Sequence, residues 1–117
     1  PASLIVCLNR GSSTGQLIQA SGIVGVNLCD SADNDTAALF ASKADDKFRP
    51  GMWDEGAVTG APLLRSAVAG FEGKVVEAKA FGSHIIFIVE IVAVTVADQA
   101  RAPLLYLNRA FGAFAAH

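Results

Sequence analysis

The chain of 117 residues predicts a mainly β fold, a β-barrel with short helices, and three features carry the prediction. Residues 66–79 and 84–96 are two long β-rich runs joined by Ala80-Phe81-Gly82-Ser83, which reads as a hairpin. Two shorter apolar runs, residues 4–8 and 23–29, come before them. Helix signals occur in only two windows, and both are short.

Taken in order, Leu4-Ile5-Val6-Cys7-Leu8 reads as a buried strand that ends in Asn9-Arg10-Gly11-Ser12-Ser13-Thr14. Ser13 is placed to cap a short helix, with Gln16 completing a capping box, Leu17 and Ala20 as its apolar stripe and Gly22 as its stop. In the strand at 23–29, Val24, Val26 and Leu28 alternate with Gly25 and Asn27. A polar turn over residues 30–35 precedes a second helix at 36–43, which can resume as far as Phe48 before Arg49-Pro50-Gly51 ends it. Residues 49–65 read as one long loop, because Pro50, Gly51, Gly56, Gly60 and Pro62 interrupt every period.

In the last long run, His84, Ile86, Ile88, Glu90, Val92 and Val94 share one face. Ile85, Phe87, Val89, Ile91 and Ala93 share the other. Both faces are apolar and both need cover, one inside a barrel and the other against a helix or a second subunit, so a homodimer is expected. Glu90, among aliphatic neighbours, is expected in a structural ion pair. Residues 97–101 form a turn, and residues 103–107 a last short strand.

Composition narrows the function. Hydrophobic residues make up 52% and charged residues 17%, which places the chain among globular domains rather than disordered ones. A net charge of −2, with nine scattered Lys and Arg, offers no footprint for nucleic acid or for an anionic membrane surface. The longest apolar run, residues 85–96, is too short to span a bilayer as a helix, and Pro1-Ala2-Ser3 has no charged leader. Cys7 and Cys29 stand apart without a metal-ligand spacing and read as two free thiols. The expectation is a soluble, cytoplasmic protein that binds no metal.

The chemistry has few places to sit. At residues 9–14 a strand ends and a helix begins, with Arg10, a glycine and three hydroxyls between them. Free N–H groups, the helix dipole and a guanidinium there suit a phosphate, or the segment is simply a capped helix with a solvent-exposed arginine. The segment is neither a Walker loop nor a dinucleotide fingerprint. His84 opens a strand and is either structural or catalytic. Tyr106, Arg109 and Phe111 offer an aromatic and cationic edge to a planar ligand, or they merely pack.

Several stretches together resemble one family in the right order. They are residues 1–14, Leu39-Phe40-Ala41-Ser42-Lys43 with Lys47-Phe48, Gly60-Ala61-Pro62-Leu63-Leu64, Phe71-Glu72-Gly73-Lys74-Val75, residues 82–90, and Pro103-Leu104-Leu105-Tyr106 with Arg109. The ordered set resembles the short-chain flavin reductases, in the branch of reductase components of 4-hydroxyphenylacetate 3-monooxygenase. The resemblance implies a Greek-key split barrel over residues 1–117, working as a homodimer with the flavin near the subunit boundary. It also implies two further strands upstream of Pro1, relative to which the domain is N-terminally incomplete. The implied activity is reduction of FAD or FMN by NADH or NADPH, the reduced flavin passing to a separate oxygenase.

Carried onto this chain, the resemblance gives Asn9, Arg10, Ser12 and Ser13 the ribityl-phosphate side and sets the backbone of Cys7 near the ring. Phe40 and Lys47 flank the cofactor, His84 lies beside the nicotinamide as the catalytic candidate, and Arg109 and Phe111 close the pocket. Two alternatives stay open. One is a flavin-binding split-barrel module, or inactive fragment, that does not turn over. The other is an enzyme of the pyridoxamine-phosphate oxidase kind, which would want more basic phosphate ligands than Arg10 and Lys47.

Overall fold

The computed structural model describes residues 1–44 and 46–117. Strand β1 (Ser3–Asn9) leads into helix α1 (Ser13–Ser21), strand β2 (Ile23–Leu28) and helix α2 (Asn34–Ala41). A short hairpin follows, β3 (Trp53–Glu55) and β4 (Pro62–Leu64), and then the long hairpin of β5 (Ala69–Phe81) and β6 (His84–Val96). Two three-residue strands, β7 (Leu105–Leu107) and β8 (Ala110–Gly112), end the chain. The main sheet has the order β1-β6-β5-β2 and every pairing in it is antiparallel. The fold is mainly β with two short helices, as the sequence predicts.

The core lies on one face of this sheet. Phe87 and Val89 are fully enclosed, and Ile85, Val24 and Ile18 of α1 complete the cluster, with Leu4, Val6, Leu8, Val26 and Val75 packed around it. Each enclosed side chain contributes on the order of 1.5–3 kcal/mol over leaving it in water. Alternation explains the arrangement, because Leu4, Val6 and Leu8 of β1 stand opposite Val89, Phe87 and Ile85 of β6 on a common face.

The opposite face is treated differently. Over β2 and β5 it is covered by the segment at 56–64, where Gly25 lies so close to the Pro62 carbonyl that any Cβ would collide with it. Residues 49–65 are therefore not one irregular loop. β3 and β4 pair within them, closed by the two-bond contact of Arg65 with Asp54 at 2.9 and 2.7 Å. Near β1 the same face stays open, with Ile5 and Phe81 about 70% exposed (68% and 71%).

Other details depart from the sequence reading. Ser12, not Ser13, caps α1: its Oγ accepts from Gly15 N at 3.0 Å, which puts glycine rather than Gln16 in the box position. Gly22, at φ 72°, ends the helix as expected. α2 starts at Asn34 and stops at Ala41, with Asp33 as its cap. No helix resumes at Asp46, Lys47 or Phe48, and Asp45 lies outside the described residues.

The two-face pattern of β6 holds from His84 to Glu90 and then breaks. Glu72 faces Ala93 while Gly73 faces Ile91, so Val92 is an extra residue that reverses the alternation, and Val76 plays the same part in β5. Glu90 has Lys74 and Ser3 as cross-strand neighbours but forms no ion pair among the described residues. The enclosed acid is Glu72, 2% exposed. Two free cysteines are present, Cys7 exposed and Cys29 half-buried. Among the described residues no helix is long and apolar enough to cross a membrane.

Candidate functional site

The turn between β1 and α1 is tied to the β5–β6 hairpin. Arg10 N donates to the Ser83 carbonyl at 2.9 Å and its guanidinium Nη1 donates to the Gly82 carbonyl at 3.1 Å. Asn9 is the register partner of His84, and Ser83 Oγ lies 2.8 Å from His84 Nδ1. Asn9, Arg10, Ser12, Ser13 and His84 thus meet at one corner, although Arg10 and His84 are far apart in sequence. Within the turn, Gly11 N donates to Asn9 Oδ1 at 2.9 Å and Ser12 Oγ donates to the Asn9 carbonyl at 2.8 Å. Ser13 and Thr14 open the helix, where N–H groups have no partner inside the helix. A guanidinium, hydroxyls and the positive end of α1 together make an anion-attracting corner.

A cavity of about 520 Å³ begins beside it and shares Thr14. It wraps the free edge of β2, with Leu17 and Ile18 of α1 on one side and Gly60, Ala61 and Pro62 on the other. Phe40, Lys47 and Phe48 close it. Lys47 Nζ donates to the Phe40 carbonyl at 3.0 Å, and Phe48 stacks edge-on between Phe40 and Trp53, at centroid distances of 5.0 and 5.7 Å. This mostly apolar, aromatic cavity with one amine suits a planar ring system. Cys29 also lines it, and burial, followed by the nearby Asp33 charge, raises its thiol pKa above the ordinary value. A second cavity of about 630 Å³ lies at the other end of β5 and β6, edged by Asp54, Arg65, Asp98 and Arg101. Its two arginines are already engaged, Arg65 with Asp54 and Arg101 with the Ser66 carbonyl.

Three expected residues fall elsewhere. Cys7 sits on β1 on the face away from Phe87, opposite Ile86. Arg109 and Phe111 lie on the β7–β8 hairpin, whose preceding residues 102–104 join the fold at Cys29, Asp30 and Ser31. That attachment follows the end of β2, where Leu28 pairs with Ala69 and Ala69 with Val96, the far end of β6 from His84. Within one chain, then, Arg109 and Phe111 do not close the corner at His84. Arg109 forms a two-residue turn with Asn108 at φ 63° and 51°, and Phe111 packs on Tyr106 at 5.1 Å. Phe48, Cys29, Leu17 and Pro62 were missed as cavity residues. The aromatic spacing around Phe48 was a visible signal, but nothing local to Cys29 or Pro62 marks a wall built from separate segments.

A family model for the flavin reductase like domain matches residues 1–115. The chain belongs to the flavin reductase like family. It is 32% identical over 115 residues to the 4-hydroxyphenylacetate 3-monooxygenase reductase component of Klebsiella oxytoca, covering 95% of this chain and 66% of that protein. It is 34% identical over 118 residues to the FMN reductase (NADH) RutF of Variovorax paradoxus, covering 99% and 64% respectively. The chain thus spans slightly less than two thirds of the length of these relatives. In structure it is similar to the NADH:FAD oxidoreductase SgcE6 of Streptomyces globisporus in complex with NAD and FAD fragments. The TM-score is 0.90 at 28% identity, covering 98% of this chain and 69% of that one.

Proposed function

We propose that this flavin reductase like chain binds FAD or FMN along the α1 corner and the adjoining cavity, and reduces it with NADH or NADPH. The observation that carries the reading is the shared position of Thr14. It joins an anion-attracting helix terminus to an apolar, aromatic cavity, the two environments that a flavin phosphate and a flavin ring need. The donor set fits the cofactor. Arg10, Ser12, Ser13 and Asn9 attract and orient the phosphate side. Phe40 and Lys47 flank the ring, and His84, beside Asn9, orients the nicotinamide. When bound, the flavin supplies the hydride acceptor. The protein's contribution is to hold two ring systems in contact and to exclude water.

The names of the relatives support release of reduced flavin to a separate oxygenase, of the 4-hydroxyphenylacetate type or another. A homodimer is part of this reading. Leu105, Tyr106, Leu107 and Phe114 of the C-terminal segment are 43–73% exposed, which suits a second copy bringing Arg109 and Phe111 to the pocket.

The test is loss of absorbance at the reduced-nicotinamide band, with and without added FMN or FAD. Oxidation that requires flavin is the expected result. Tight flavin binding without any nicotinamide oxidation would leave a binding module instead.

A further inference from the structure

We propose that Glu72 is a positioning residue for the cavity, its carboxylate fastening the 58–61 segment so that Gly60, Ala61 and Pro62 stand as one wall. This rests on the flavin reading above and adds a residue that touches neither flavin nor nicotinamide. Glu72 lies on β5, on the face away from Phe87, and is 2% exposed. Three donors converge on its Oε1: Val58 N at 3.1 Å, Thr59 N at 2.7 Å and Thr59 Oγ1 at 2.8 Å. The bonding continues into the wall. Thr59 Oγ1 accepts from Ala61 N at 3.1 Å, Gly56 N donates to the Ala61 carbonyl at 2.8 Å, and Gly60 N donates to the Gly56 carbonyl at 2.9 Å. Residues 56–61 are thus closed on themselves and bonded to β5 through one carboxylate oxygen, while Pro62 is tied separately, its carbonyl accepting from Asn27 Nδ2 at 3.2 Å.

Close packing makes the fastening rigid. A Cβ on Gly56 would run into the Glu72 carboxylate, and one on Gly25 would run into the Pro62 carbonyl. The segment therefore has no room to slide over β2 and β5. An enclosed carboxylate is costly unless its bonds are made, and a hydrophobic residue would cover the same strand at less cost. What an apolar side chain cannot do is fix the orientation of Val58, Thr59 and, through Thr59, Ala61. Gly60, Ala61 and Pro62 line the cavity opposite Leu17 and Ile18, so their orientation sets its width. Glu72 acts on the ligand only through that wall.

The experiment compares wild type with Glu72→Ala, Glu72→Gln and Thr59→Val. Amide hydrogen exchange across residues 56–61 is read without flavin, then FMN affinity by fluorescence, then KM for FMN and kcat. Glu72→Ala and Thr59→Val are expected to speed exchange at Val58, Thr59 and Ala61 while β6 amides keep their protection. FMN affinity is expected to fall about tenfold and KM to rise in step, with kcat at saturating flavin held, since Glu72→Ala loses all three charge-assisted bonds and Thr59→Val loses the hydroxyl one together with the acceptor of Ala61 N. Glu72→Gln keeps an acceptor oxygen and is expected to stay within about threefold of wild type. Thr59→Val carries the test if Glu72→Ala does not fold. Unchanged exchange at residues 56–61, or faster exchange with unchanged FMN affinity, would overturn the positioning role. Wild-type protein that bound no FMN would overturn the flavin reading itself, and the exchange data, taken without flavin, keep the two failures apart.

Discussion

Arg10 donates both its backbone N–H and its guanidinium to the Gly82–Ser83 turn, yet the side chain remains exposed. An exposed bond of that kind leaves the other guanidinium N–H groups available to an anion. Arg10→Ala is therefore expected to weaken flavin binding by on the order of 1–3 kcal/mol, the range for losing a charge-assisted hydrogen bond. Titrating flavin fluorescence against both proteins checks it, and unchanged affinity would reduce residues 9–14 to a capped turn. On the proposed reading, in which His84 orients the nicotinamide, His84→Ala is expected to lower turnover more than flavin affinity. Steady-state kinetics beside the same titration separate the two effects, and an equal loss in both would remove His84 from that role. At this scale the grouping of Asn9, Arg10, Ser12 and Ser13 was legible, since all four lie within residues 9–13. Its union with His84 follows only from the pairing of β1 with β6.

Helix α1 shows how an element's ends resist local reading. Ser12 and Ser13 both carry the hydroxyl a cap needs, and the choice between them depends on backbone angles. Ser12, at φ −73° and ψ 142°, is extended and takes the Gly15 N–H. Ser12→Ala is expected to cost about 1 kcal/mol of stability, with Ser13→Ala costing much less. Urea midpoints of the two variants decide it, and equal midpoints would mean that the cap bond contributes nothing. The long strands carried a comparable ambiguity. Strict alternation in β6 holds to Glu90, where the chain pairs regularly, and fails at Val92, because a bulge has no signature in the hydrophobic pattern. The hairpin of β3 and β4 was hidden for another reason. Its strands are three residues long and interrupted by proline and glycine, and they are held by contacts with β2 rather than by their own propensity.

For the whole molecule, three carboxylates are held below their ordinary range, the exposed Asp54 by Arg65 and two more covered ones, Glu72 and Asp33, that make stability depend on acid. The Thr59 backbone N–H, then the Thr59 hydroxyl and Val58 N–H, hold the pKa of Glu72 below its usual value, against the opposing effect of burial. The Thr36 hydroxyl does the same for Asp33 at the start of α2. Both groups bind protons less readily folded than unfolded. Their stabilisation is complete above the unfolded carboxylate range of about 4 and is lost as pH falls through the lower folded values. Denaturant midpoints from pH 7 down to pH 3 are expected to fall on the acid side, with a shallower fall in Glu72→Gln. A midpoint that did not move over that range would show that neither carboxylate is coupled to folding. Assembly is the second property at this scale. Ile5, Phe81, Leu107 and Phe114 leave apolar surface at both ends of the molecule, so light scattering is expected to give a dimer of the 12.1 kDa chain. A stable monomer at micromolar concentration would remove the second copy from the proposed pocket.

The amino-acid sequence by itself determined the β-rich class, the approximate position of each long strand, the Gly22 stop and the strand-to-helix turn at residues 9–14. Each of these depends on neighbours in the chain, through alternation, capping chemistry or turn residues. Tertiary structure alone decided that Phe40, Lys47 and Thr14 share a cavity with Pro62 and Cys29 and that Arg109 and Phe111 attach at the end of β2. It alone decided, too, that Glu72 and not Glu90 is the enclosed acid. Both glutamates sit on adjacent long strands, and the aliphatic neighbours of Glu90 make it, not Glu72 between Phe71 and Gly73, the more conspicuous in the sequence. What distinguishes them is the segment that lies over Glu72 with three donors aimed at one oxygen, and that segment comes from more than ten residues away in the chain.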